Sequence, residues 1–263
     1  MAAEPRRRRG SQHCLRDRRR AGRCGVTVAA SASADCFVER LTELRAPVDV
    51  EWARRFFRTD DEFLGARMGQ VFALAKEFIE MNLDELDRLL DSTVHEVRVG
   101  ALSIMGKQAV RKTTSDDHRR ALYELYLRRI DRVDTWDLVD ISAHQVIGGY
   151  LIDSPRDVLY RLAGSPNWPE RRIAMFATLQ LVRAGDLDDT FAIAEILVAD
   201  EHDLIHKVVG GLLREAGKHD RPRLRRFLDR HAEHMPRVAL RHAIEHFDPD
   251  LRRTYLNRTK EST

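Results

Sequence analysis

With 263 residues, of which 43% are hydrophobic and 33% charged, the chain reads as soluble and globular, long enough to bury a sizeable core as one extended domain or two small ones. No run approaches the roughly 20 apolar residues of a membrane span, and Cys14, Cys24 and Cys36 have neither an even count nor metal-ligand spacing, so a reducing, cytoplasmic setting fits best. The net charge of +3 is uneven: residues 1–25 hold nine Arg against Glu4 and Asp17, a local +7, so residues 26–263 carry −4 and a polyanion would need a local basic patch.

Residues 1–34, with Arg6 to Arg9, Arg18 to Arg20 and a small-residue run from Val26 to Ala34, lack hydrophobic periodicity and are expected to be a disordered tail. A secretory signal is the rival, but its apolar stretch is short and interrupted by Thr and Ser. A nucleic-acid-binding arm, or a true start at Val26, are further readings.

From Asp35 the pattern is helical, and residues 35–258 are expected to form a single α-helical repeat domain, with 259–263 a flexible end. Phe37, Leu41 and Leu44 recur at helical spacing before Pro47 stops the first helix. Trp52 to Phe57 begins a second, Phe63-Leu64-Gly65 marks a turn, and Val71, Leu74, Ala75 and Phe78 form the stripe of a third. No strand-like alternation of useful length appears, so the fold is all-α.

The middle of the chain repeats weakly. Segments opening at Glu96, Asp137, Glu170, Ile205 and Arg237 each pair a polar start with an apolar helix, at spacings that suit two-helix units of a helical solenoid. Thr93-Val94-His95-Glu96 has capping-box form, and Asn167 with Glu170 marks another start in which Pro169 sits harmlessly in the first turn.

In Thr135-Trp136-Asp137-Leu138-Val139-Asp140, Trp136 and Asp140 share a helix face, and Thr135 is the expected N-cap whose hydroxyl takes an orphan amide. Overlaying the repeats aligns Arg98, Asp140, Arg172, Lys207 and Arg237, four cations and one carboxylate, as a row on the concave face suited to tracking a phosphate backbone. Asp140 has two readings. It pairs with Arg98 or Arg172 and only balances charge, or it lies near the sugar of a bound duplex and stabilises positive charge developing at the anomeric carbon.

These residues resemble DNA alkylation repair proteins of the AlkD type, HEAT-like repeat alkylpurine DNA glycosylases. The resemblance runs from about Phe56 to Leu256 through Phe63-Leu64-Gly65, Leu89-Leu90, His95-Glu96-x-Arg98, Trp136-Asp137-Leu138-Val139-Asp140, Glu170-Arg171-Arg172-Ile173-Ala174, Ile205-His206-Lys207, Leu213-Arg214-Glu215 and Met235-Pro236-Arg237. It implies a curved solenoid that grips duplex DNA and releases cationic N3- and N7-alkylated purines without flipping the base into a pocket. By similarity Asp140 has the catalytic role, Trp136 contacts the sugar and Arg172 the backbone; the row adds Arg98, Lys207 and Arg237 as supporting cations, and Arg171 is expected to bind DNA as well. Two positions depart from the family pattern. Gly210-Gly211 stands where Gly-Trp is usual, and Asn167-Trp168-Pro169 where Asn-x-Trp is usual, so Trp168 and the space at Gly211 are the positions of altered lesion contact.

No cofactor or metal is expected. His202 and His206 lack a third ligand, His144 reads as a surface or capping group rather than a partner of Asp140, and Met105 and Met175 read as core. The expectation is therefore a monomeric α-helical solenoid acting as a DNA glycosylase on duplex DNA. The alternative is a HEAT-like module that binds nucleic acid or protein without chemistry.

Overall fold

The computed structural model describes residues 32–46, 50–57 and 59–258. Residues 1–31 of the expected tail, the stop at Pro47 and the 259–263 terminus lie outside the described residues; of the tail's last three residues, Ser33 caps the first helix through the Cys36 amide and Ala34 opens it, buried. Where backbone is described the elements are helical, with one isolated bridge between Glu62 and Val94. No described helix is long and apolar enough to cross a membrane.

Apolar periodicity produces each helix, and each helix buries the stripe that periodicity makes. The N-terminal part comprises α1 (Ala34–Thr42), which buries Phe37 and Leu41, then α2 (Val50–Phe57) and α3 (Met68–Glu77). Two-helix units follow, pairing α4 (Leu83–Leu90) with α5 (His95–Val110), and α6 (Asp116–Arg128) with α7 (Trp136–Ala143). Beyond them α8 (Asp157–Ala163) pairs with α9 (Trp168–Arg183), α10 (Asp188–Leu197) with α11 (Asp203–His219), and α12 (Arg221–His231) with α13 (Arg237–Ala243), before α14 (Pro249–Asn257) closes the array. The second helix of each unit packs on the second helix of the next, so α5, α7, α9, α11 and α13 form one layer and their partners another. These inner helices begin within two residues of the five repeat starts expected from the sequence.

Small residues set the spacing inside that layer. A Cβ on Gly210 would stand 2.4 Å from the Ala239 carbonyl oxygen, and one on Gly148 would stand 2.2 Å from that of Ala177, so α11 meets α13, and α7's extension meets α9, at backbone contact. That extension is a single π turn, His144–Gly148, running on from α7. Met105 and Met175 are fully buried in the common core, as expected of gap-filling side chains.

Three expected caps differ. The capping box at Thr93 does not form, because α5 starts at His95 after Val94. The Glu96 carboxylate instead accepts from the amides of Leu64 (3.1 Å) and Gly65 (2.8 Å), while Thr93 bonds Glu62. The Thr135 hydroxyl takes no amide but donates to Asp137 Oδ1 at 2.7 Å, since a carboxylate two residues on is the stronger acceptor. Asn167 likewise makes no cap bond and donates to Glu170 at 3.0 Å, and Pro169 sits in the first turn as expected.

Candidate nucleic-acid interface

The starts of α7, α9 and α11 lie side by side, and counted from its first helical residue each offers the same two positions to one groove. The first residues are Trp136, Trp168 and Asp203; the fifth, one turn on, are Asp140, Arg172 and Lys207. All six line a cavity of about 640 Å³, which Arg55, Phe56 and Phe57 of α2 close from the other side with His202 and Leu204.

At its centre Arg172 grips Asp140 with two parallel bonds, Nε to Oδ1 at 2.9 Å and Nη2 to Oδ2 at 2.8 Å, and its remaining Nη1 donates to the Leu204 carbonyl. The guanidinium is thereby held in one orientation with its side chain 7% exposed, while Asp140 keeps 27% of its own open to the groove. Burial pushes the Asp140 carboxyl above the usual carboxylate range against the pull of Arg172, with Asp137 adding to the rise. The pairing expected for charge balance therefore exists, and it leaves the carboxylate facing the space where a ligand would lie. Lys207 is exposed beside it.

Trp168 lies in the groove although it is one residue displaced, because it opens α9 as Trp136 opens α7, and its ring stacks on His202 at 4.6 Å and 8°. Gly211 follows Lys207 by one turn and faces a neighbouring cleft with Arg172, Phe176, Lys207 and Arg214. A Cβ there would meet nothing within 4 Å, so the space left by the missing aromatic is open.

Three residues of the expected DNA-binding set lie outside this groove. Arg98 is fully buried, donating to Asp61, to both oxygens of Asp134 (2.9 and 3.0 Å) and to the Arg132 carbonyl. It is the fourth residue of its helix, not the fifth, and one residue rotates a side chain by about 100°, into the protein. Arg171 is turned likewise onto Asp200 (2.6 Å) and the carbonyls of Ser165 and Pro166. Arg237 is the first residue of α13; its guanidinium bonds the Leu256 carbonyl at 2.6 Å and lines a separate surface cleft with Arg252 and Arg253. The residue of α13 that matches Lys207 is the exposed Arg241. Of the expected row, Asp140, Arg172 and Lys207 come together.

Behind the groove lies a network that sequence reading missed. His95, fully buried, is held between Asp61 (3.1 Å) and Asp137 (2.8 Å), and Asp61 also takes Arg98. Burial works against a charged imidazole, but the two carboxylates outweigh it and raise the pKa to about 9, so His95 is protonated at neutral pH. Burial would raise Asp61, and its bond to His95 and the Arg98 charge hold it below its usual range. The network ties α5 to the residue next to Trp136. Because the unfolded histidine titrates near 6.5, its contribution, about 3 kcal/mol, is fully present below pH 6.5 and fades as pH rises through 9. Stability in urea should therefore fall between pH 6.5 and 9.5, and His95→Gln should flatten that decline; an unchanged decline in the variant would assign it elsewhere.

Sequence reading also missed Arg55, His202 and Asp203 as groove residues, and the ring cluster of α2, where Phe56 and Phe57 meet Trp136 at 5.6 and 5.8 Å. The Arg55-Phe56-Phe57 run after Trp52 was the available signal. His144 interacts with the Asp140 backbone rather than its carboxylate and presents an edge to Phe176. His202 Nδ1 caps α11 through the Leu204 amide, and His206 bonds the Asp200 carbonyl. No three His, Cys, Asp or Glu among the described residues gather as a metal-ligand set.

Comparison with known proteins fits this geometry. A solved chain described as a predicted DNA alkylation repair enzyme from Enterococcus faecalis has the same fold, with a TM-score of 0.63 and 16% identity over 78% of this chain and 97% of that one. Among curated proteins, none matches this sequence. The family model for the DNA alkylation repair enzyme matches residues 37–247, and the chain belongs to that family.

Proposed function

We propose that the protein is a DNA glycosylase that releases cationic N3- and N7-alkylated purines from duplex DNA, working as a cytoplasmic monomer without a metal or cofactor. The observation that carries this reading is the Trp136, Asp140 and Arg172 constellation: an aromatic face, a partly open carboxylate and a rigidly oriented guanidinium in one groove with Lys207 and Arg55 on its flanks. An alkylated purine is already charged, so its bond to the sugar is weak. As the C1′–N bond breaks, its electron pair neutralises the purine ring and positive charge moves to the sugar. Asp140 stabilises that charge, a water adds to C1′, and its proton passes to solvent. The direct test is free alkylated base appearing from a methylated duplex and none from the unmodified one; tight duplex binding with no release would favour a binding module.

Phosphate contact is assigned to Lys207 and Arg55, the exposed cations of the groove, beside Arg172. Duplex affinity should fall steeply with salt, and Lys207→Ala and Arg55→Ala should each flatten the logarithmic slope by roughly one unit. The titration is run with and without residues 1–25, whose nine arginines produce a slope of their own. A salt-independent affinity would point to a protein partner.

Gly211→Trp should raise both affinity for alkylated duplex and release of methylated purine, because the position opens onto the cleft beside Arg172 and a ring there adds an aromatic wall against a cationic base. Unchanged values in a folded variant would remove this cleft from lesion binding.

A further inference from the structure

Besides its cations, the groove contains a neutral donor whose direction is fixed. His202 is the N-cap of α11, and its Nδ1 accepts from the Leu204 amide at 3.2 Å. A ring nitrogen that accepts carries no hydrogen, so the hydrogen of the neutral imidazole sits on Nε2, across the ring. Burial holds the His202 pKa below the usual histidine value, with Arg171 and His206 lowering it further against the pull of Asp203 and Asp200, so the ring is neutral at physiological pH. Nε2 has no partner among the described residues, and the ring lines the groove wall with Lys207 and Arg172, its side chain 33% exposed.

Three contacts keep the ring in this orientation. The His202 amide donates to Asp200 Oδ1 at 2.8 Å, and that carboxylate is itself gripped by Arg171 at 2.6 and 3.2 Å. The bond from Leu204 sets the rotation of the side chain. Trp168, the first residue of α9, lies flat against the imidazole face, 4.6 Å away and 8° from parallel. Asp203, the carboxylate beside the ring, stands 3.7 Å from Nδ1, the capping nitrogen, and leaves Nε2 unengaged. Arg171, although turned from the groove, thus acts on it through the loop that carries His202, and one face of Trp168 is occupied by the stack.

On the reading that the groove binds duplex DNA, which this assignment requires, we propose that His202 donates from Nε2 to a backbone phosphate oxygen. Trp168 is then the positioning residue that holds the His202 ring, rather than a contact of the lesion. The acceptor that a duplex presents to a wall carrying Lys207 and Arg172 is a phosphate, and contacts of this kind fix where along the backbone the protein sits. A neutral donor differs from the neighbouring cations in one measurable way. It displaces no counterion, so it strengthens binding by the same factor at every salt concentration, whereas Lys207 contributes to the salt slope. Because it grips the backbone and not the base, it strengthens binding to damaged and undamaged duplex alike.

The test is duplex affinity of the full chain across a salt series, on methylated and unmodified DNA, with a thermal melt of each variant. Asparagine is a strong N-cap whose side-chain oxygen can take the Leu204 amide, and it ends short of Nε2, so His202→Asn keeps the helix capped and removes the donor. It should weaken both duplexes about tenfold with the salt slope of the parent, the loss expected of one hydrogen bond to a charged group. Trp168→Leu should weaken binding about threefold or more in the parent and no further in His202→Asn, because the two act as one unit. Trp168→Phe, which keeps a flat ring, should retain most of the affinity. Affinity unmoved by His202→Asn, or a flattened slope, overturns the donor, and that variant decides the matter if Trp168→Leu fails to fold. Losses from Trp168→Leu that add to those of His202→Asn, or that fall on the methylated duplex alone, return Trp168 to the lesion. A parent chain that binds no duplex loses the reading of the groove itself. One that binds duplex and releases base but is indifferent to both substitutions loses this assignment alone.

Discussion

Asp140→Asn should lower release of alkylated purine by about a hundredfold or more while duplex affinity holds or improves. The amide has nearly the shape of the carboxylate, and its oxygen still accepts one of the two bonds from Arg172, so the guanidinium stays oriented although one of its partners is lost. What disappears is the negative charge beside the sugar. Affinity is spared because the groove loses its central anion while Lys207 and Arg55 remain. Release and duplex binding are measured on the same preparation, with a thermal melt to show that the buried guanidinium has not unfolded the site. Release at the original rate would remove Asp140 from the chemistry and leave it a charge-balancing partner of Arg172.

The second large effect is on stability. Arg98→Met should cost about 3–5 kcal/mol, the loss expected when one member of a buried ion network is removed and its partners are left unpaired. Asp61 and Asp134 both depend on that guanidinium, and Asp61 also holds His95. At roughly 2–4 °C per kcal/mol for a domain of this size, the melting temperature should drop by about 6–20 °C. At a temperature where the variant is folded, the salt slope of duplex binding should be that of the parent. An unchanged melting temperature with a flattened slope would return Arg98 to the binding face.

The contrast between Arg98 and Lys207 shows what was readable in advance. Hydrophobic periodicity located the inner helices to within two residues, because a repeat that buries its apolar stripe against the next unit must write that stripe into the sequence. Trp136, Asp140 and Arg172 were readable as groove residues because they are the first residue of a helix, or the fifth, one turn on, at starts that the sequence marks. Arg98 was misplaced because a one-residue error in locating a helix start is also a rotation of about 100°, and sequence alone does not distinguish a cation facing water from one facing buried carboxylates. Arg171, next to Arg172 on α9, is turned by the same rotation of about 100° onto Asp200. The network of Asp61, His95 and Asp137 joins positions 34 and 42 residues apart, and such pairing follows from packing rather than from local pattern. Trp168 is the opposite case: displaced by one in sequence, it opens its helix and so reaches the groove.

The π turn at His144–Gly148 makes the binding face a matter of residue count. A π turn holds one residue more than an α turn, which shifts the phase of everything after it by about 100° relative to everything before. Ahead of it, Trp136 and Asp140 must point to the groove; at its last residue, Gly148 must lie bare against the Ala177 carbonyl. An uninterrupted α-helix cannot satisfy both demands, and the extra residue reconciles them. Deleting any one residue from 144–148 would restore α phase and turn either Asp140 away from Arg172 or Gly148 away from α9. Changes of side chain at His144 and Gln145, the two half-buried positions of that turn, leave the phase intact, so those two positions should accept substitution more readily than the segment accepts a change in its length.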